Sequence, residues 1–379
     1  MKVIVVGAGV IGCAVAYELA RRGADVRLLD SRSPGRGATF ASAGILAPAV
    51  EGHNPDLLHL TSCSLAAYDE FIRRVRHDSG VDIDYARTGT LQVAFTQEQA
   101  AVLIEIATRC AASGIAHELL DTAGARALEP SVSEDVIAAL HVPTQGYVSA
   151  KQLVAALVQA AVSRGATIVN DRVERIEETP HGVVALTSRE RLDVDAVVMA
   201  SGSWMVPTGR ARSERSESGL ALSERSQSTG SMVKPIRGQL LHLRVDEAIA
   251  SRVLWGPDCY IVPWRDRTVL VGATVEDVGF DESATVEGVR SLLTAATAVA
   301  PVLDRARFLE VRVGLRPKTA DELPAIGRSS TMHHVFYAMG LYRNGILLAP
   351  LTATMVADLV LDGREHADLA RVRPDRFGL

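Results

Sequence analysis

An α/β fold, in which a parallel-sheet domain is interleaved with a second domain built on an antiparallel sheet, is what this sequence predicts. Three observations carry it. The chain opens on a strand-length apolar run, Val3-Ile4-Val5-Val6, which breaks into a Gly-x-Gly-x-x-Gly turn and then into a helical pattern from Cys13 to Arg22. A second, strand-rich region begins after Lys234. Patterns of the first kind return after residue 146 and again after 318, so neither domain is contiguous. The expected division is 1–87, 146–207 and 318–379 for the first domain, 88–145 and 233–317 for the second, and 208–232 for a flexible polar insertion. At 379 residues the chain exceeds what one core usually supports, and 47% hydrophobic residues suffice to fill two.

The elements follow in order. In the opening turn Gly7 makes the tight bend, Gly9 lets backbone approach a pyrophosphate, and Gly12 allows close helix–strand packing. The next strand, Asp25 to Leu29, ends at Asp30, about twenty residues beyond the last glycine, where a carboxylate can accept from the hydroxyls of an adenosine ribose. Arg36 to Gly44, rich in small residues and hydroxyls, suits a backbone that passes under that pyrophosphate. Gly89 to Phe95 alternates as an exposed antiparallel strand would. Ser149 caps an amphipathic helix over 150–164, and Ala166 to Val169 reads as the strand after it. Asp195 to Ala200 is a buried strand ending in the turn Ser201-Gly202-Ser203-Trp204.

From 208 to 232 the composition turns to Ser, Glu and Arg with a near-repeat of Ser-Glu-Arg-Ser and little to bury; a surface loop is the plain reading. Beyond it, Leu240 to Arg244, Cys259 to Trp264, Thr268 to Ala273 and Phe308 to Val313 have strand composition. Last comes a helix from Gly345 to Leu361, whose free N–H groups and positive dipole end can face a ring that gathers negative charge.

Charge and cysteines bound the function. A net charge of −5 and a pI near 6.1 leave no basic face for nucleic acid. No apolar run reaches the eighteen or so residues of a spanning helix, and Met1-Lys2 leads into the first strand without a secretory signal, so a cytoplasmic chain is expected. Cys13, Cys63, Cys110 and Cys259 show neither Cys-x-x-Cys nor zinc spacing and read as buried small hydrophobes. His333-His334 reads as solvated, and His242 and His53 could approach a site without a motif behind either.

Two segments point further: Gly314-Leu315-Arg316-Pro317, and Gly340 to Pro350, which contains Tyr342-Arg343-Asn344-Gly345. An arginine fork matches a carboxylate in plane and with two parallel hydrogen bonds. With these motifs the chain resembles the glycine oxidase and D-amino acid oxidase family of flavoproteins, most closely the glycine oxidases of thiamine biosynthesis, over nearly its whole length except 208–232. The resemblance implies an FAD-binding Rossmann-like domain interleaved with an antiparallel-sheet substrate domain. It implies FAD contacts from Gly7, Gly9, Val10, Ile11 and Gly12, then Asp30, Ser31 and Arg32, then Thr39, Ala41, Ala43, Gly44, Ile45 and Leu46. Later contacts are Val173, Ser201, Gly202 and Trp204, and, around the last helix, Tyr342, Arg343, Asn344, Gly345, Ile346 and Leu347. Related amine oxidases tether their flavin through a cysteine in the stretch corresponding to 312–318, which has none here, so FAD is expected to be non-covalent.

The same resemblance assigns the substrate carboxylate to Arg316 with Tyr260 and Arg343, hydride transfer from Cα to flavin N5, and reoxidation by dioxygen with release of hydrogen peroxide. A homo-oligomer is also implied, a tetramer being common in the family. Glycine, sarcosine and small D-amino acids are not ranked by the residues. A D-amino acid or secondary-amine dehydrogenase with another electron acceptor stays open as an alternative.

Overall fold

The computed structural model describes residues 1–49, 55–180, 182–210 and 232–379. Its first layer is a six-stranded sheet in the order Ala325–Arg328, Val335–Met339, Ala196–Met199, Lys2–Val6, Asp25–Asp30, Thr167–Asn170. All neighbours run parallel except the first pair. Both faces are covered at the three central strands, Val335–Met339, Ala196–Met199 and Lys2–Val6, which is why these read as nearly unbroken apolar runs rather than alternating ones. Val3 and Val5 pack among the helices Val10–Arg21, Ala150–Ser163 and Gly345–Asp362, whereas Ile4 and Val6 pack against Ile176, Val183 and Ala185 of a small four-stranded sheet.

The second layer is an eight-stranded sheet ordered Arg307–Thr319, Val233–Arg244, Thr268–Gly272, Tyr260–Pro263, Val253–Trp255, Thr90–Ala94, Ala138–Val142, Glu118–Asp121. It is antiparallel apart from one junction, Val253–Trp255 beside Thr90–Ala94. Helix Val286–Val299 covers one face, with Leu292 and Ala296 against Leu241, Leu243 and Val271. From the other face Leu240, Val262 and Leu270 meet Ala43 and Tyr147 of the first layer.

Several expectations need correction. Thr90–Ala94 is not exposed but an interior strand with both faces buried: Leu91 and Val93 enter one core and Ala94 another, under helix Gln97–Ala112. Its polar Thr90 is buried all the same, because its hydroxyl donates to Gln145 Oε1 at 2.7 Å. Strand Arg307–Thr319 runs two residues past the 317/318 division, because its pairing with Val233–Arg244 continues to Thr319.

Thr208–Arg210, the start of the expected insertion, is a strand beside Ile176–Glu178, while 211–231 lie outside the described residues, as does His53. Cys63 is half-exposed, with its sulfur 3.7 Å from His59 Nε2, unlike the buried Cys13, Cys110 and Cys259.

One helix, Gly345–Asp362, has the length and apolarity of a membrane span, contrary to the expectation that no run would reach it. Its apolarity has a local cause. The helix is enclosed by Val10–Arg21, Pro55–Ala66 and the sheet, so it is apolar nearly all round, and it carries the buried carboxylate Asp358 against Arg22 at 2.6 Å.

Candidate active site

A cleft of about 1510 Å³ runs between the two layers. One end is made by the opening turn. Gly7 has φ +103°, and a Cβ at Gly12 would lie 1.8 Å from the Gly7 carbonyl oxygen, so the helix can start this close to the strand only on glycine. Helix Val10–Arg21 has no side-chain cap at Gly9; its first N–H, Val10, donates to Thr39 Oγ1 at 3.1 Å, tying the 36–44 segment beside the turn. The Asp30 carboxylate accepts from the N–H groups of Ala8 and Arg32, each at 2.8 Å, which holds it at the cleft wall.

The far end is made by side chains on strands. Arg316 is opposite Ile236 in register, and its Nη1 donates to the carbonyls of Thr274 at 2.9 Å and Arg237 at 3.3 Å. Gly238 makes room for it: a Cβ there would sit 2.3 Å from the guanidinium. Tyr260 is paired with Gly272 in register, where a Cβ would lie 2.6 Å from the tyrosine hydroxyl, and its ring packs 5.3 Å from that of Trp255. The Arg316 strand then meets the last helix: Tyr342 N–H donates to the Pro317 carbonyl at 3.0 Å, and Lys318 bridges to Leu341. Tyr342 turns at φ +46° and Arg343 lies over its ring at 5.1 Å, exposed to the cleft. Helix Gly345–Asp362 starts there without a side-chain cap, and nothing lies within 4 Å of where a Gly345 side chain would begin.

Arg316, Tyr260 and Arg343 thus share one cleft with Gly7, Gly9, Val10, Ile11, Asp30, Ser31 and Arg32. Thr39, Ala41, Ala43, Gly44 and Ile45 line it too, as do Val173, Ser201, Gly202, Trp204 and Tyr342 to Leu347. Two expected cofactor residues do not. Leu46 is fully buried in the helical core, because neighbours on a strand point to opposite faces and Ile45 takes the cleft side. Gly12 faces the Gly7 carbonyl instead, so its contribution is packing. His242 also lies off the cleft lining, held by Glu310 and Arg312.

The sequence reading missed the segment 273–285. The Phe280 ring lies 6.0 Å from that of Trp204, tilted by 44°; Arg32 lies over the Trp204 ring at 4.0 Å, and Glu282 pairs with Arg32 at 3.2 Å. Sequence offers no signal for this, since an exposed polar turn reads as any other. It missed Cys259 as a lining residue as well. Burial first, and then the Asp258 carboxylate, push that thiol up to about 12, so it is neutral at pH 7 and a poor nucleophile.

The cleft suits a dinucleotide with a ring system. Two helix starts without side-chain caps open onto it, one at each end, as partial positive ends for a pyrophosphate and for a ring that gains negative charge. Gly9 keeps the approach free, the nearest atom to a Cβ there being Thr39 Oγ1 at 3.5 Å.

Comparison with known proteins agrees. The family model for DAO, FAD-dependent oxidoreductase, matches residues 2–359. A glycine oxidase of Geobacillus kaustophilus is 34% identical over 372 residues, covering 97% of this chain and 95% of that relative. The bifunctional protein ThiO/ThiG of Synechocystis is 32% identical over 99% of this chain, which spans 54% of that protein. The crystal structure of glycine oxidase from Geobacillus kaustophilus superposes with a TM-score of 0.88 at 33% identity, covering 98% of both chains.

Proposed function

The chain belongs to the DAO family of FAD-dependent oxidoreductases and is an FAD-dependent amino acid oxidase, and we propose that its substrate is glycine or a comparably small amino acid such as sarcosine or a small D-amino acid. The observation that carries this reading is Arg316. Its Nη1 is committed to two backbone carbonyls, and among the described residues its Nη2 and Nε make no hydrogen bond, so a planar edge is left for a carboxylate inside the cleft.

Arg316, assisted by the Tyr260 hydroxyl and by Arg343, fixes the substrate carboxylate and so orients the Cα–H, an effect that can supply several kcal/mol of the barrier. Gly7 to Ile11, Asp30, Thr39 to Ile45 and the start of helix Gly345–Asp362 would hold FAD, which when bound would supply a two-electron acceptor for that hydride, with dioxygen as the oxidant and hydrogen peroxide as its product. The chain's remaining work is binding and exclusion of water: Tyr260, Trp255 and Ile45 wall the substrate side. No Asp, Glu or His of the matched motifs acts as base; the amine reacts neutral, and the imino acid hydrolyses to oxo acid and ammonia after release. Non-covalent FAD and a cytoplasmic setting belong to the same reading.

An oxygen electrode with glycine, sarcosine, N-ethylglycine, D-alanine and D-proline tests it. Oxygen uptake with stoichiometric peroxide is expected for at least one of the first four. Rapid flavin bleaching under nitrogen without oxygen uptake in air would move the enzyme to the dehydrogenases, and no bleaching by any of the five would end the proposal.

A further inference from the structure

The Arg316 guanidinium is held through a network that begins outside the cleft. Arg237, 4% exposed, places its guanidinium on the Glu276 carboxylate, with Nε at 3.2 Å and Nη2 at 2.5 Å from Oε2, and pairs with Asp281 as well. The other Glu276 oxygen accepts from Thr274 Oγ1 at 2.6 Å and from Gln239 Nε2 at 2.8 Å. Thr274 Oγ1 in turn accepts from the Gln239 N–H at 2.9 Å, and the backbones of Arg237 and Glu276 bond each other reciprocally at 2.8 and 3.0 Å. The short turn Thr274 to Glu276 is thereby tied to strand Val233–Arg244 through the backbone and side chains of both Thr274 and Glu276.

At the end of this network the Thr274 carbonyl receives Nη1 of Arg316. A guanidinium is planar, so fixing one nitrogen on two carbonyls fixes the plane and decides which edge remains for a ligand. Arginine side chains carry large rotamer freedom, and a carboxylate site whose fork is already oriented avoids that loss on binding.

We propose that Arg237, Glu276 and Thr274 are positioning residues for carboxylate recognition, acting through the Thr274 carbonyl on Arg316. The inference rests on the reading of Arg316 as the substrate anchor. None of the three needs to touch substrate; each acts by keeping the fork in one plane.

The test uses holoenzyme and two readouts: the dissociation constant of glycolate from a flavin spectral shift, and KM and kcat for the preferred amino acid. Thr274→Val keeps shape but removes the hydroxyl; glycolate binding should weaken about tenfold and KM rise in step, with kcat changed less than about threefold and FAD content unchanged. Thr274→Ser, which restores the hydroxyl, should return both to near wild type. Glu276→Gln should act in the same direction as Thr274→Val. Asp277→Asn, which removes only the exposed partner of Lys234 on the same turn, should change neither.

Wild-type glycolate affinity and KM in both Thr274→Val and Glu276→Gln would overturn the proposal, and so would a loss of FAD or thermal stability with glycolate affinity intact. Failure of Arg316→Leu to weaken glycolate binding at all would instead remove the underlying reading of the anchor.

Discussion

At the Gly7–Gly12 end of the cleft the chain presents mainly backbone, contributed by residues that lie close in sequence: Ala8 meets Asp30 and Val10 meets Thr39 across 22 and 29 positions. At the Arg316 end it presents side chains carried on paired strands, with Arg316 meeting Arg237 and Thr274 across 79 and 42 positions. The first end depends on what the main chain can do at glycine. The second depends on which strands lie side by side. Substitutions at the two ends should therefore fail differently, one in cofactor retention and the other in recognition of substrate.

The largest separation is expected from Arg316→Leu. Loss of a bidentate, charge-assisted pair in a desolvated pocket should cost about 2–4 kcal/mol, lowering kcat/KM for glycine by roughly two to three orders of magnitude. FAD content should not change. Arg316→Lys should recover only part, since an ammonium keeps the charge without the planar fork. Equal losses of flavin and of kcat/KM in these variants would erase the contrast between the ends.

Next comes acid. Burial pushes the Asp358 carboxyl up, but hydrogen bonds from Arg22, His366 and Arg364 outweigh it and hold the group at about 2, below its ordinary 3.8. A depressed folded value means a stabilisation fully present above about pH 4 and lost as the pH falls through about 2, worth about 2 kcal/mol. Because Arg22 follows helix Val10–Arg21 and Asp358 sits on Gly345–Asp362, this joint braces the nucleotide half. Denaturant unfolding of wild type and Asp358→Asn at pH 7 and near pH 2 should show the variant less stable at pH 7 and the difference shrinking in acid; a gap that does not shrink counts against the assignment.

The smallest effect is expected from Asp30→Ala. It removes the acceptor for Ala8 and Arg32 N–H groups and, on the reading above, for the ribose hydroxyls, so FAD affinity should fall about tenfold. Turnover of the remaining holoenzyme should stay within about twofold, because the ribose is remote from the reacting carbon. Fluorescence titration of apoprotein with FAD measures the first, and activity per bound flavin the second. A large drop in turnover at full occupancy would mean that the two ends are not separable.

The same contrast explains what could be read in advance. The strand, glycine turn and helix of residues 3–22, Asp30, and the helix beginning at Gly345 all stood in the sequence, because each is a local pattern of apolar spacing and glycine. Misreadings fell where a tertiary neighbour decided. Thr90–Ala94 alternates like an exposed strand but is covered on both faces by separate cores. Leu46 and Ile45 are both apolar, and only the pairing of their strand with Gly146–Val148 shows which one faces the cleft.

By itself, then, the sequence determined the opening turn and its acid, the helices after Gly9, Ser149 and Asn344, and, through the Gly-Leu-Arg-Pro segment, an arginine proposed as carboxylate anchor. Only the tertiary structure decided how that anchor is oriented, by laying strand Arg307–Thr319 against Val233–Arg244 so that Gly238 leaves space and Thr274 takes one nitrogen of the fork. It also decided that Phe280 and Glu282 reach across to Trp204 and Arg32. The reason is range. Glycine turns and helix starts depend on the dihedral freedom of a few adjacent residues, whereas a side chain's bonding partners depend on the register of strands far apart in the chain, which a single sequence does not encode in any local pattern.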